Sequence, residues 1–580
     1  MQKYTLLIII ILGVLYHTFF FGYNTILTES DSFAYIRMAE GLLRLSSDGL
    51  GNGWFGFIYS TFLAIFLPFF ESDILAGQAA NMLLLIISGL LFYSVSRKVL
   101  SIHWSLFTLV LFLFHPSFIY YRIHLLAENI YIPIFLAIIL ITWDFIETLI
   151  RHKENIIKTK LLREKNITRG IGYLKYPLLL GIFLGLLYLT RAEGFIYMGS
   201  IGIIALFLLF KKYLSLETFL VTGSIFFLGF FTFITPYLFH LHSLTGEWGL
   251  TNKGASNWRQ AELRGRDHMD DLGFEEAVAG LTEDKTSLIA GFAGGMPYFQ
   301  PQIEGGFLKS LKENPLPHIK RVGENQYKLY TQNLPEIYFG NSYKLFKSDD
   351  TRFQSIFFQI FLLLLGLPLL LGIIISCKKH LALLGIFFAF FLPASIFFTL
   401  FFTLNRYFII FLPFLLLFTV IGIQRLTELF KIKSIIFKYI FLIIFLVLFT
   451  LNTTFSQYNF LSLEKEKNNF YMLKKEAGEW LYEKSQGNKE IKVLERFPFT
   501  TYYSGAQWRY ITPYTQEIED IKVYMLYHDI DFLIVDSMDF YTYRPDLRKY
   551  LEEIPEGLRL VRDFTNTHHQ KIRIFELQSK

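Results

Sequence analysis

Apolar residues arrive in this chain in blocks of about 20, the length that crosses the hydrocarbon of a bilayer as a helix. Tyr4 to Tyr23 is the first block, and others follow as far as residue 452. A chain built this way satisfies its backbone inside helices and keeps its few charges at the rim or in the protein interior. At 580 residues, 53% apolar and a mean hydropathy of +0.39, it is too apolar for a soluble protein of its length. Its 64 Phe and 34 Tyr fit lipid-facing and interfacial rings. The single cysteine, Cys377, sits beside Lys378 and Lys379 and leaves no intramolecular disulfide framework. The first block reads as a retained helix rather than a signal peptide, because its apolar run is long and Thr28-Glu29-Ser30-Asp31 is a poor cleavage site.

The Lys and Arg residues set the sidedness. Arg97-Lys98, the segment 148–176 with eight Lys/Arg against two Glu, Lys211-Lys212, Lys378-Lys379, and Arg425 with Lys431, Lys433 and Lys438 all sit between apolar blocks. Short basic loops stay inside. The net charge of +6 is gathered in these loops, so it reports topology and not nucleic-acid binding. With the N-terminus inside and 54–70 read as an interfacial or re-entrant helix, further spans fall near 74–96, 104–121, 129–147, 177–191, 194–210, 217–238, 354–376, 381–403, 407–424 and 437–452. The reading is an α-helical polytopic membrane protein of about eleven transmembrane helices over residues 1–452. Its outer loops are 25–73 and 239–353. A small extracytoplasmic α/β domain follows over 453–580, with helices at 467–484 and 518–529 and strands at 491–494, 532–535, 558–564 and 571–577. This tail shows no Gly-rich phosphate loop and no metal-spaced Cys/His cluster.

That topology places the notable charges on one outer rim. Asp31 lies just past the first block, at the start of a helix with Tyr35 on its apolar face; an amphipathic helix of this kind lies on a membrane surface. The plainer reading is a capping box, Thr28 with Asp31. Glu128 and Asn129 follow Arg122-Ile123-His124 in a short hairpin, where Glu128 also suits the first turn of a helix. Arg191 and Glu193 occupy another hairpin and could simply pair with each other. Arg406-Tyr407 fills a third, where an Arg commonly snorkels to the interface. Lys253 follows Trp248 and could be an ordinary solvated Lys. Taken together, carboxylates beside cations suit one reaction: an acid takes the proton of an acceptor hydroxyl or amine, while cations or a carboxylate-held metal balance a departing phosphate. A lipid-linked phosphate would present its head group at this depth.

These residues resemble a family. The run Asp31-x-x-x-Tyr35-x-x-x-Ala39-Glu40-Gly41-Leu42 is similar to the first outer loop of GT-C superfamily glycosyltransferases, of the protein O-mannosyltransferase and lipid A aminoarabinose transferase type. Leu126-Ala127-Glu128-Asn129 resembles their second acidic site, and Leu189-Thr190-Arg191-Ala192-Glu193-Gly194 their "TRPEG" run, with Ala192 in place of Pro. Thr235-Pro236-Tyr237, with Thr245-Gly246-Glu247-Trp248 and Lys253, resembles the outer exit of their seventh span. Asn405-Arg406-Tyr407 with Pro413 resembles their late "RY…P" element. The resemblance covers about 1–450 and implies a polyprenyl-phosphate sugar donor, a lipid, glycan or protein acceptor, and a bacterial plasma-membrane setting. By it, Asp31 is the catalytic base and Glu128 the second acid. Arg191, Glu193, Lys253, Arg406, Tyr407, Tyr35, Arg122 and His124 are the expected binders of donor phosphate and substrate. Many members carry Asp-Glu at the first site. Ser32 follows Asp31 here, so no cofactor follows from the residues and a divalent metal stays an open option.

Three other classes compete. A transporter or polyprenyl-lipid flippase places its polar groups near the midplane in symmetric halves, and neither feature is visible. A surface-glycan polymerase or ligase shares the donor class. A membrane scaffold would leave donor turnover untouched when the rim charges are changed.

Overall fold

A computed structural model of the chain describes residues 2–23, 25–51, 53, 55–162, 173–246, 248–251, 312, 315–340, 365–401, 403–429, 435–510, 518–537 and 545–578. They divide into two compact units. The first takes in Met1–Tyr23, Gln78–Phe239 and Ile319–Leu461; the second takes in Asn24–Gly77, His240–His318 and Ser462–Lys580.

The helices in chain order are α1 (Gln2–Thr18), α2 (Ser30–Leu43), α3 (Ile58–Phe66), α4 (Asp73–Ser96), α5 (Ile102–Leu113), α6 (Ser117–Ile123), α7 (Glu128–Leu162), α8 (Lys175–Thr190), α9 (Ile196–Phe210) and α10 (Leu216–Thr245). They continue as α11 (Pro315–Lys328), α12 (Leu334–Phe339), α13 (Leu367–Lys379), α14 (Leu381–Phe401), α15 (Asn405–Phe408), α16 (Leu412–Leu429) and α17 (Ile435–Lys484). Among the described residues, six helices are long and apolar enough to cross a membrane: Asp73–Ser96, Glu128–Arg151, Ala192–Phe210, Leu216–Leu244, Leu381–Leu400 and Asn405–Leu429. A seventh results if the bent pair α5 and α6 counts as one span. Lys3–Thr18, Ile58–Phe69 and Lys175–Thr190 are apolar but shorter. The expected span 354–376 falls outside the described residues as far as residue 364.

Three elements differ from expectation, each for a local reason. The first helix stops at Thr18, not near residue 23, and continues as tight turns in which Phe20, Phe21 and Tyr23 donate to carbonyls three residues back. The span expected at 104–121 is broken by 54° between α5 and α6. Pro116 caps α6 and disfavours helix at His115 before it. The last span does not end near 452. No Gly or Pro occurs between Ile435 and Gly478, so nothing punctuates the chain, and α17 runs unbroken for 50 residues.

In the first unit, α13 and α16 approach most closely. A Cβ built at Gly372 would overlap the Phe418 carbonyl, and one at Gly422 the Pro368 carbonyl. Bare backbone at the crossing lets two helices pack where lipid offers no hydrophobic drive to bring them together.

The second unit carries a five-stranded sheet. Its strands are β1 (Lys492–Glu495), β2 (Gln507–Tyr510), β3 (Phe532–Asp536), β4 (Leu558–Thr565) and β5 (Lys571–Leu577), in the order β2-β1-β3-β5-β4. β1 lies parallel to β2 and β3; β5 lies antiparallel to β3 and β4. Helices α18 (Phe499–Ser504) and α19 (Ile518–Tyr527) fall between strands. Alternation sorts the strand residues onto two faces. Leu494, Leu533, Val535 and Phe575 pack on Ile521, Tyr524 and Met525 of α19. Val493, Ile534, Ile572 and Ile574 pack on Phe470, Leu473, Ala477 and Leu481 of α17. The expected strands recur within a residue or two, while β2 and α18 were not expected.

Candidate functional site

The first unit gathers four of the expected site residues around one carboxylate. Glu128 opens α7 and is only 2% exposed. A carboxylate so deeply buried must be paired, and Arg191 pairs with its Oε1. The Nε of Arg406 stands 3.8 Å from the same oxygen. Arg191 Nη2 lies 3.5 Å from Glu193 Oε1, so the pairing of Arg191 with Glu193 does form, but as the weaker arm of a larger network. The guanidinium of Arg191 sits 5.1 Å from the ring centre of Tyr407, whose other neighbour, Phe398, stacks on it at 4.5 Å. Two acids and two arginines balance one another, and the network is largely closed to solvent.

Local sequence explains the placement. Arg191 leaves α8 in an extended conformation, and the next residues tighten into a 3-10 turn in which Gly194 donates to the Arg191 carbonyl at 2.8 Å. This turn folds back on α8 so closely that a Cβ at Gly194 would stand 2.7 Å from the backbone of Leu187 and Tyr188. Glycine at the end of the Arg-Ala-Glu-Gly run is therefore a steric requirement. On the Glu128 side, the carbonyls at the end of α6 and in the stretch before α7 are taken up by two amides, one buried and one half-buried. Asn81 of α4 donates to the carbonyls of Arg122 at 3.0 Å and His124 at 2.9 Å; Asn129 donates to those of Tyr121 at 2.7 Å and Leu126 at 3.0 Å. Sequence reasoning missed Asn81. The signal was an amide in an otherwise apolar span, where it is costly unless it bonds. It also missed Glu336 of α12, which accepts from Asn405 at 2.9 Å beside Arg406.

Of the buried groups of this unit with side-chain atoms that lack a hydrogen-bond partner among the described residues, two bear on the site. One is Oε2 of Glu128. The other is the whole guanidinium of Arg122, a residue 1% exposed. An interior cation with no hydrogen bond and an interior acceptor with none are costly left as they are, and they suit an anion and a donor supplied from outside the chain. The ring of His124 lies 4.6 Å from that of Tyr120, and its carbonyl serves the turn.

The remaining expected residues lie elsewhere. Asp31 and Tyr35 belong to α2 in the second unit. Helix α2 begins at Ser30 with Glu29, not Thr28, as its N-cap. Nor is α2 a one-sided surface helix: Phe33, Ala34, Tyr35, Ile36, Met38 and Ala39 are all buried. Tyr35 meets Tyr59 and Phe55 edge-to-face at 5.1 Å and 5.4 Å, which makes it a core ring of its unit. Lys253 lies outside the described residues. Among the described residues, no three His, Cys, Asp or Glu side chains converge as metal ligands.

No protein-family model matches the chain, and no curated protein matches it in sequence. Solved structures do match. The apo oligosaccharyltransferase of Archaeoglobus fulgidus superposes with a TM-score of 0.53 and 13% identity, over 95% of this chain and 71% of that one. The oligosaccharyltransferase AglB of the same organism, in complex with an inhibitory peptide and a dolichol-phosphate, gives 0.50 and 11%, over 100% and 74%. ArnT from Cupriavidus metallidurans bound to undecaprenyl phosphate gives 0.51 and 8%, over 99% and 97%. At these identities the likeness shows the fold alone, which this chain shares with the oligosaccharyltransferase and with ArnT.

Proposed function

We propose, from this GT-C fold, that the protein is an integral-membrane glycosyltransferase. It transfers a sugar from a polyprenyl-phosphate donor to a lipid, glycan or protein acceptor on the extracytoplasmic face, with Asp31 as general base. The observation that carries the proposal is the buried pairing of Glu128 with Arg191 and Arg406 in a chain of this fold. A scaffold has no use for such a network, in which Oε2 of Glu128 has no hydrogen-bond partner among the described residues.

In the proposed reaction the acceptor oxygen or nitrogen bonds to the anomeric carbon of the sugar. The bond from that carbon to the phosphate oxygen breaks, and the lipid phosphate leaves with the electron pair. Asp31 takes the acceptor's proton. The guanidinium of Arg122, without a hydrogen bond among the described residues, meets the charge that grows on the phosphate, while Arg191 and Arg406 hold Glu128 where its Oε2 accepts a substrate hydroxyl. Lys253, Glu193 and Tyr407 complete the expected binding set.

The test is a deletion strain, with mass spectrometry of its surface lipids and glycans. One sugar-bearing species should disappear and return on complementation. Complementation with Asp31→Asn, inserted at normal levels, should leave transfer lower by at least about 100-fold. Full transfer by that variant overturns the base, and an unchanged lipid and glycan profile overturns the transferase.

A further inference from the structure

The C-terminal sheet has a charged core, and the core leads to the turn that bears Asp31. Lys474 of α17, Glu495 at the end of β1 and Asp536 at the end of β3 are fully buried. Lys474 Nζ donates to Asp536 Oδ2 at 2.7 Å and lies 3.7 Å from Glu495 Oε2. Glu495 also accepts the backbone N–H of Thr501 at 2.7 Å, that of Thr500 at 3.4 Å, and the Thr501 hydroxyl. These amides belong to the first turn of α18, so a buried carboxylate ties down its N-terminal end. The indole of Trp508 closes the corner by donating to the Glu495 carbonyl at 2.9 Å. A helix of six residues does not hold its own shape in water; this one is held by its attachments.

What α18 then does is reach the first outer loop within the same unit. The Tyr502 hydroxyl donates to Asp73 Oδ2 at 2.9 Å. The Tyr503 hydroxyl accepts the backbone N–H of Leu27 at 2.8 Å. Phe33 meets the rings of Tyr502 and Trp508 edge-to-face, each at 6.2 Å. Leu27 stands just before Asp31 and Phe33 just after it, so the acidic turn is held on both sides by one short helix.

We propose that α18 is a positioning clamp: Tyr502 and Tyr503 are positioning residues that fix the Asp31 turn, and transfer depends on the C-terminal domain through them. This rests on the reading of Asp31 as the base. A base displaced by about 1 Å loses on the order of 100-fold in rate, so loss of the two hydroxyls should be felt in turnover before it is felt in folding.

The experiment uses the full-length chain with Tyr503→Phe, the pair Tyr502→Phe/Tyr503→Phe, Asp31→Asn, and the exposed control Tyr527→Phe. Product is measured in the complemented deletion strain, and transfer in isolated membranes is followed against pH. Melting temperature and thermal-shift binding of undecaprenyl phosphate are measured on the purified protein. The double variant should lose about tenfold in product formation and shift the acidic limb of its pH profile. Its melting temperature and undecaprenyl phosphate binding should match those of the parent, and Tyr527→Phe should match the parent throughout. Should the double variant melt early, Tyr503→Phe alone decides: faster amide exchange at Leu27 with reduced transfer supports the clamp, and faster exchange with parental transfer overturns it. Parental transfer by the double variant while Asp31→Asn is inactive overturns the clamp and leaves the base in place. Full transfer by Asp31→Asn overturns the base and the clamp with it.

Discussion

Arg191 shows how much one side chain decides here. It sits 8% exposed between Glu128 and Glu193, and removing it strands a buried carboxylate. Arg191→Met should cost about 3–5 kcal/mol, read as a lower melting temperature in detergent, and should abolish transfer. Arg191→Lys should restore part of the stability and little of the activity, because an ammonium lacks the planar fork that reaches both acids. Glu495 gives a pH dependence with a definite sign. Burial raises its pKa above the usual 4.5, against the pull of Lys474 and the Thr501 bonds. The folded chain therefore keeps a proton that the unfolded chain releases, and stability from this residue is complete below 4.5 and is lost as pH rises through the raised value. Melting of Glu495→Gln followed from pH 4.5 upward should be flatter than that of the parent. At this scale the sequence showed which charges were unusual but not their partners. Glu128, Arg191 and Arg406 stood out as charges between apolar blocks, whereas the roles of Asn81 and Glu336 depend on carbonyls and amides that only the folded backbone brings near them.

Elements were legible where periodicity or hydropathy was strong and failed where a single residue or a neighbour decided. The apolar blocks at 74–96 and 381–403 became α4 and α14 almost residue for residue. The break at Pro116 was present in the sequence as a proline within a long apolar run, and the run outweighed it in the reading. Strand β2, with the residues Gln507-Trp508-Arg509-Tyr510, lies at the sheet edge and alternates polar with aromatic residues over only four positions, a short signal. It exists because β1 offers it a parallel partner. The contact of α13 with α16 makes a prediction of its own. Gly372→Ala or Gly422→Ala should push the two helices apart and lower the detergent melting temperature by the equivalent of about 1–3 kcal/mol. Gly385→Ala on α14, where a Cβ meets nothing within 4 Å, should change it little.

For the molecule as a whole, the sidedness read from the basic loops is open to a direct test, because Cys377 is the single cysteine and it is exposed. A membrane-impermeant maleimide should label it in inverted vesicles and not in intact cells; labelling from outside would reverse the orientation. Sequence alone set the notable charges between apolar blocks; it could not reveal which distant segments of the chain bond to each other. The bond from Leu27 to Tyr503 spans 476 positions, and that from Asp73 to Tyr502 spans 429. Leu27 and Asp73 emerge from the ribosome long before their tyrosine partners are made. A prematurely terminated polypeptide would therefore carry a first outer loop that lacks both of these bonds.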